Sequence, residues 1–289
     1  MAWVNAVVQG ILLGGLYAVL ATGLSLGFGV MRLTNLAHGD MAILAAFMAF
    51  STSTAFKISP LVALLVILPG AFVFGLLLQR FVFDRLIGGD PSLQIVATFG
   101  LSIVIQNGLK KKYTADTRGL NLGKLATRSI RITDGLTIGV LPLITFLCGV
   151  GVLVLLALFL SRTKMGRAFR ATSDDPDTAQ LMGVDKRRVY ATATGITMLT
   201  VALAGVLYGA KSSFDPFIGP ATLIFAFEAV IIGGLGSLWG TLAGGIALGV
   251  AQAIGLKINA GYGELAGHAL FLGVLATRPR GMFGKLDNR

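Results

Sequence analysis

Cysteine is almost missing from this chain. Cys148 stands alone inside an apolar run, so no intrachain disulfide can form, and a buried free thiol is the reading its setting supports. Histidine is nearly as rare. His38 and His268 are the only two, and no group of side chains has metal-ligand spacing. No G-x-x-x-x-G-K-[ST] phosphate loop occurs, so the chain does not itself hydrolyse nucleotide by that route. No Ser–His–Asp arrangement around a nucleophile elbow is read either. If the work of this protein needs energy, another chain supplies it.

Charge is the other scarce commodity. Only 13% of residues are charged, about half the ~25% of a soluble domain. In its place stand 55% hydrophobic residues and 39 glycines, nearly twice the usual ~7% glycine share. Several apolar runs reach the ~20 residues that cross a bilayer. The composition therefore predicts an all-α polytopic membrane protein of about eight to ten transmembrane helices, some short or broken, in one transmembrane domain over residues 1–289. The net charge of +11 does not point to nucleic acid. The basic residues sit between apolar runs, where anionic headgroups and the positive-inside rule account for them. Met1–Asn5 carries no basic stretch, so no cleaved signal peptide is expected.

Nine apolar segments are read: Val4–Met31, Met41–Phe56, Pro60–Gln79, Leu93–Leu109, Ile138–Leu160, Val189–Ala210, Ala221–Leu235, Gly240–Ile254 and Glu264–Thr277. Alternating them with Arg162–Tyr190 in the cytoplasm puts fourteen of the 24 basic residues inside, which favours an outside N-terminus and an inside C-terminus. The stretch Lys110–Gly135 works against that bias, with seven basic residues on the outer face. A basic outer face could steer an anionic solute or an acidic partner; a miscounted span or a plain solvated surface is the favoured reading.

Two stretches interrupt the pattern at membrane depth: Thr34–Asp40 and Ile232–Gly240. Non-helical backbone there must be buried in protein or line a wet cavity, and broken helices offer N–H and C=O groups to a solute. Each break runs from a glycine into small residues and a helix, a hint of a weak internal repeat. Glycines recur at four-residue spacing, as in Gly10/Gly14, Gly23/Gly27, Gly205/Gly209 and Gly236/Gly240/Gly244, a pattern that lets helices approach closely. Glu228 sits among apolar neighbours, where a carboxylate is costly and faces a cavity or a partner. Contact with solute and a structural role are both open for it. Asn5, Gln9, Gln106, Asn107 and Gln252 read as interhelical hydrogen-bonding residues.

The longest polar stretch between apolar runs is Arg162–Tyr190, with seven basic residues. It is expected to hold a short helix. Asp175 can N-cap it, Pro176 suits its first position, Asp177 favours the positive end of the helix dipole, and Gly183 can take the left-handed position that ends it. Such a helix would present Ala179 and Met182. A docking element and an ordinary charged loop are both compatible with this pattern alone.

Three stretches together, LTNLAHGDMAILAAF, GRAFRATSDDPDTAQLMGVDKRRV and FEAVIIGGLGSLWGTLAGG, resemble the permeases of branched-chain amino acid ABC importers, nearer the LivH-type than the LivM-type branch. The likeness covers nearly the whole chain. It implies a multi-pass subunit of the bacterial inner membrane, working with a second permease, two ATPase subunits and a periplasmic solute-binding protein, and using no cofactor. It implies that Asp175, Asp177, Ala179, Leu181, Met182 and Gly183 belong to a coupling helix seated on the ATPase. It places Asn35, His38, Asp40, Glu228, Gly233, Gly234 and Gly236 along or beside the translocation pathway. Related systems carry urea, short amides or aromatic carboxylates, so the solute stays open. A stand-alone secondary transporter or channel is the alternative; it would favour ionisable relays within spans, and only Glu228 qualifies.

Overall fold

The computed structural model describes residues 2–133 and 136–283. In chain order the elements are α1 (Ala2–Met31), α2 (His38–Phe56), α3 (Pro60–Phe81), a 3-10 turn at Phe83–Arg85, α4 (Pro91–Tyr113), α5 (Lys124–Thr127), strands β1 (Ser129–Thr133) and β2 (Leu136–Gly139), α6 (Val140–Arg162), α7 (Lys164–Asp174), α8 (Pro176–Leu181), α9 (Lys186–Lys211), α10 (Gly219–Gly233), α11 (Leu238–Ile258) and α12 (Tyr262–Thr277). Among the described residues, α1, α2, α3, α4, α6, α9 and α11 are long and apolar enough to cross a bilayer, and α10 is a shorter apolar helix. Each of the nine apolar segments contains one helix, and the chain is an all-α polytopic membrane protein.

Several boundaries move, each for a local reason. α2 begins at His38 rather than Met41, so His38 and Asp40 lie on its first turn, where a carboxylate complements the helix dipole. The second break shrinks to residues 234–237. Gly234 (φ 100°) and Gly236 (φ 79°) supply left-handed backbone there, and the Ser237 hydroxyl accepts from the Gly240 amide at 3.1 Å to start α11. The stretch Lys110–Gly135 is not a simple loop. α4 runs on through Lys110, Lys111 and Lys112, cations suited to a helix C-terminus. An antiparallel hairpin then pairs Ile130 with Ile138, so Ile138 is strand rather than span. Asp134 and Gly135 of that stretch, like Lys285 and Arg289 of the charge count, lie outside the described residues. Arg162–Tyr190 holds α7 as well as the expected short helix. Gly23-Leu24-Ser25-Leu26-Gly27 has the letter spacing of a nucleophile elbow, but it lies within α1 and lacks the strand-to-helix turn that exposes such a serine.

The chain divides into two compact units, one of Met1–Ser25, Asn121–Leu153 and Ile224–Arg289, the other of Leu26–Leu120 and Val154–Leu223. In the second unit α2 and α9 form the core. Gly205 meets the carbonyl of Ala42, and a β-carbon at Gly75 would stand 2.7 Å from the Thr194 carbonyl on α9. Near the same end of α3, Thr194 Oγ1 donates to Gln79 Oε1 at 2.5 Å, and Gln79 Nε2 donates to Asp84 at 2.7 Å. At the opposite end Phe47 stacks on Tyr113 (centroids 4.6 Å) and takes Phe214 edge-on at 4.9 Å. Arg118 and Phe214 exchange backbone hydrogen bonds of 2.8 Å, so the connections after α4 and α9 meet, as alternation of the spans requires. In the first unit Gly10 and Gly14 of α1 pack on the backbone of Val250 and Ile246 in α11. Gln9 Nε2 donates to the Thr137 carbonyl of the hairpin at 2.7 Å.

These contacts separate glycines by what they touch. Gly205→Leu must push α2 off α9, whereas a methyl added at Gly100 would meet nothing within 4 Å, so that position accepts alanine freely. In detergent-solubilised protein, Gly205→Leu should destabilise the fold by about 2 kcal/mol or more, seen as a lower unfolding midpoint and a lower monodisperse yield. Gly100→Ala should leave both within error or slightly raised. Equal behaviour of the two would refute the packing assigned to Gly205.

Candidate functional site

The second unit gathers the polar residues around the first break. After α1 ends, Asn35 Oδ1 accepts from the Ala37 amide at 3.0 Å, and the His38 amide donates to the Asn35 carbonyl at 3.3 Å. Asn35 thus builds the turn that starts α2. His38 and Asp40 are each 1% exposed. Both oxygens of Asp40 are engaged: the Ser102 hydroxyl donates to Oδ2 at 2.5 Å and Gln106 Nε2 donates to Oδ1 at 2.9 Å. Ser102 and Gln106 are one turn apart on α4, hence on one face, and 3.1 Å separates their polar atoms. The Asp40 carboxylate also lies against Gly219, the first residue of α10, where no β-carbon fits, and Gly39 meets the Gly219 carbonyl. Two side-chain hydrogen bonds thus fix the orientation of the buried Asp40 carboxyl group.

The first unit contains a second cluster. Glu228 is 3% exposed and meets His268 Nδ1 of α12 through Oε1 at 2.5 Å, while Oε2 has no hydrogen-bond partner among the described residues. The His268 ring lies parallel to Phe225, one turn before Glu228, at 6.1 Å, and Tyr17 of α1 tilts onto Phe225 at 5.3 Å. The Tyr17 hydroxyl donates to Gln252 Oε1 at 2.5 Å. Gln252 Nε2 is buried without a partner and lies near Gly267, beside His268. Four helices thus converge on two unsatisfied polar atoms, one acceptor and one donor.

Gly233, Gly234 and Gly236 form the break between α10 and α11. Gly233 and Gly240 pack backbone to backbone across it. The carbonyls freed at the end of α10 are not open: the Met282 amide donates to Ile232 O at 2.8 Å and the Phe283 amide to Gly233 O at 3.1 Å. Ile232, Gly233 and Gly234 are buried, and Gly236 is exposed.

On the loop after α6, Asp175 ends α7 and caps α8, its Oδ1 accepting from the amides of Asp177 (3.0 Å) and Thr178 (3.2 Å). The hydrogen bond from the Thr178 hydroxyl, with those two, holds the Asp175 carboxyl below the ordinary carboxylate range. α8 ends in a Schellman turn: Val184 N donates to Ala179 O and Gly183 N to Gln180 O, both at 3.0 Å, with Gly183 at φ 85°. Asp177 pairs with Lys186 Nζ at 2.9 Å. The expectation that the helix presents Ala179 is corrected. Ala179 is 4% exposed, because it lies on the face turned into the chain, whereas Leu181 and Met182 at the tip are 87% and 81% exposed.

Sequence reasoning missed Ser102, His268, Tyr17 and Phe225 as partners. The i, i+4 spacing of Ser102 and Gln106 was visible; the meeting of α10 with α12 was not, since it depends on tertiary packing. Of the five polar residues expected to bridge helices, Gln106 and Gln252 do so and Gln9 bonds the hairpin. Asn107 instead bonds the Ile103 carbonyl of its own helix, and Asn5 Oδ1 is buried without a partner.

Two outcomes follow. In a double-mutant cycle of Glu228→Gln and His268→Ala, unfolding free energies should be non-additive by about 1–3 kcal/mol, with His268→Ala alone costing more than when Glu228 is already neutral; additivity would remove the pair. Because the Asp175 pKa is depressed on folding, its contribution is complete above the unfolded value and is lost as pH falls through the folded one. Amide exchange at residues 178–184 should therefore accelerate at and below the ordinary aspartate range, and Asp175→Ala should show fast exchange with no such transition.

Comparison with known proteins places the chain in a family. The family described as branched-chain amino acid transport system / permease component matches residues 6–275. The high-affinity branched-chain amino acid transport system permease protein BraD of Pseudomonas aeruginosa is 28% identical over 297 residues, covering 98% of this chain and 96% of BraD. LivH of Escherichia coli, named in the same terms, is 27% identical over 295 residues, covering 96% and 94%. Among solved structures, PsaBC from Streptococcus pneumoniae in complex with Fab aligns with a TM-score of 0.49 at 16% identity, over 98% of this chain and 94% of that one. The chain belongs to the branched-chain amino acid transport system permease family and is a multi-pass membrane permease component rather than an enzyme.

Proposed function

We propose that this chain is the membrane subunit of an ATP-driven importer for branched-chain amino acids or closely related small organic solutes. Its partners are a second, LivM-like permease, two ATPase subunits and a periplasmic solute-binding protein, and its place is the bacterial inner membrane. The family match over residues 6–275 carries the class of function. The amides, urea and aromatic carboxylates of related systems are the neighbouring solute classes.

Residues 162–190 serve as the cytoplasmic coupling loop in this reading. A short helix capped at both ends, with Leu181 and Met182 held out at its tip, suits insertion into an apolar groove of an ATPase. Asp175 and Gly183 fix the helix ends, Asp177 ties it to Lys186, and buried Ala179 seats it on the chain rather than on the partner. Asn35, His38 and Asp40 in one unit, and Glu228 with Gly233, Gly234 and Gly236 in the other, are the pathway candidates. Buried ionisable residues and broken helices are the features that solute pathways use in membranes. ATP-driven closure of the ATPase pair can shift the permease only through contacts that differ between its two states, and α8 offers such contacts.

The test is Leu181→Glu with Met182→Glu. Two buried apolar side chains contribute about 1.5–3 kcal/mol each. Their replacement should therefore weaken ATPase retention during purification more than a hundredfold, with insertion and folding unchanged. Undiminished retention and uptake would contradict the docking role.

A further inference from the structure

Four cations at the junction of α6 and α7 take no part in the contacts described so far. The lipid-facing half of α6 exposes Leu155 and Leu158, and the helix ends at Arg162, one turn (about 6 Å) further on. Arg162 is thus the first charged residue after the apolar run of a span-length helix, the position at which headgroups are expected. The chain then bends at Thr163, whose hydroxyl accepts from the Gly166 amide at 2.9 Å and so caps α7. Gly166 lies directly on the backbone of Phe159 and Leu160, and buried Phe169 meets Phe159 edge-on at 5.6 Å. At the other end of α7 the Ser173 hydroxyl donates to the Gly29 carbonyl at 2.5 Å. α7 is therefore held at both ends, packed against the end of the apolar helix α6 and bonded to the end of α1.

Its two faces differ sharply. Gly166, Phe169 and Thr172 are buried, while Lys164, Arg167 and Arg170 are exposed, as is Arg162 just before them. The ion pairs of this loop use Lys186 and Arg188 instead. The one acid of α7, Asp174, stands at its far end. Four exposed cations within nine residues, directly after a span-length apolar helix, match the charge of anionic headgroups and the place along the chain where headgroups are expected.

We propose that the α6–α7 junction is a binding site for anionic phospholipid, with Arg162, Lys164, Arg167 and Arg170 holding the headgroup phosphate. Asp175 both ends α7 and caps α8, so a lipid held on α7 also fixes the direction in which α8 leaves the membrane surface. The site is independent of the importer reading, and its test does not use the ATPase.

The experiment compares thermal unfolding of the full-length protein in non-ionic detergent with added phosphatidylglycerol, phosphatidylcholine of the same acyl chains, or inorganic phosphate. Phosphatidylglycerol should stabilise the protein selectively. Each cation near an anionic surface is worth about fivefold in affinity. The variant with Arg162, Lys164, Arg167 and Arg170 all replaced by Gln should thus lose more than a hundredfold in phosphatidylglycerol affinity while behaving like wild type in phosphatidylcholine. If that variant does not fold, the salt dependence of the wild type decides. At about 1 M salt, with screening over ~3 Å, the selective stabilisation should largely vanish. Equal effects of the two lipids, a salt-insensitive preference, or an unchanged preference in the variant would each overturn the proposal. Full stabilisation by phosphate alone would overturn the lipid assignment in favour of a free-anion site.

Discussion

Inside a bilayer a polar group has no water to turn to, and much of this structure answers that constraint. Each freed backbone group or buried side chain has to find its partner within the chain. Asp40 finds Ser102 and Gln106, and Glu228 finds His268. The carbonyls that end α10 find the amides of Met282 and Phe283. The exceptions are informative for the same reason. Glu228 Oε2 and Gln252 Nε2 remain unpaired in a region where four helices converge, and an unpaired polar atom at such depth costs several kcal/mol unless a water or a solute group completes it.

Glycine makes this arrangement possible. Polar partners in separate helices reach one another only if the backbones come close, and close approaches occur at Gly205 on Ala42, Gly39 on Gly219, Gly233 on Gly240 and Gly244 on Ala229. These glycines bring helix ends against neighbouring backbone, and Gly234 and Gly236 supply the left-handed turns between α10 and α11. The high glycine content is in this sense the counterpart of the buried polar groups. It is not uniform in purpose: Gly100 and Gly70 meet nothing within 4 Å.

The fold class was legible in the sequence because apolar length alone reports a span, and each of the nine apolar segments holds a helix. The helix at Pro176 was legible because its cap, first proline and terminal glycine are local chemistry. What could not be read was tertiary. α7 went unseen because its apolar positions are few and its polarity resembles a loop. The hairpin at Ser129–Gly139 was hidden by isoleucines that look like the start of a span. Ala179 reads as outward from sequence because a short helix gives no clue to which side packs. His268 looks like a lone histidine, and only the meeting of α10 with α12 pairs it with Glu228. Asp40 lies in a break of the apolar pattern and is set beside the pathway only by the family resemblance, and its satisfaction by α4 required the fold.

The most direct measurement is solute uptake by proteoliposomes carrying the complex recovered with this chain from its native membrane. The account predicts that two ATPase chains and a second permease co-purify. It also predicts that uptake of a branched-chain amino acid or a related solute needs ATP on the ATPase side and the solute-binding protein on the other. Recovery of the chain alone, with uptake persisting without ATP, would contradict it and make the protein a stand-alone transporter.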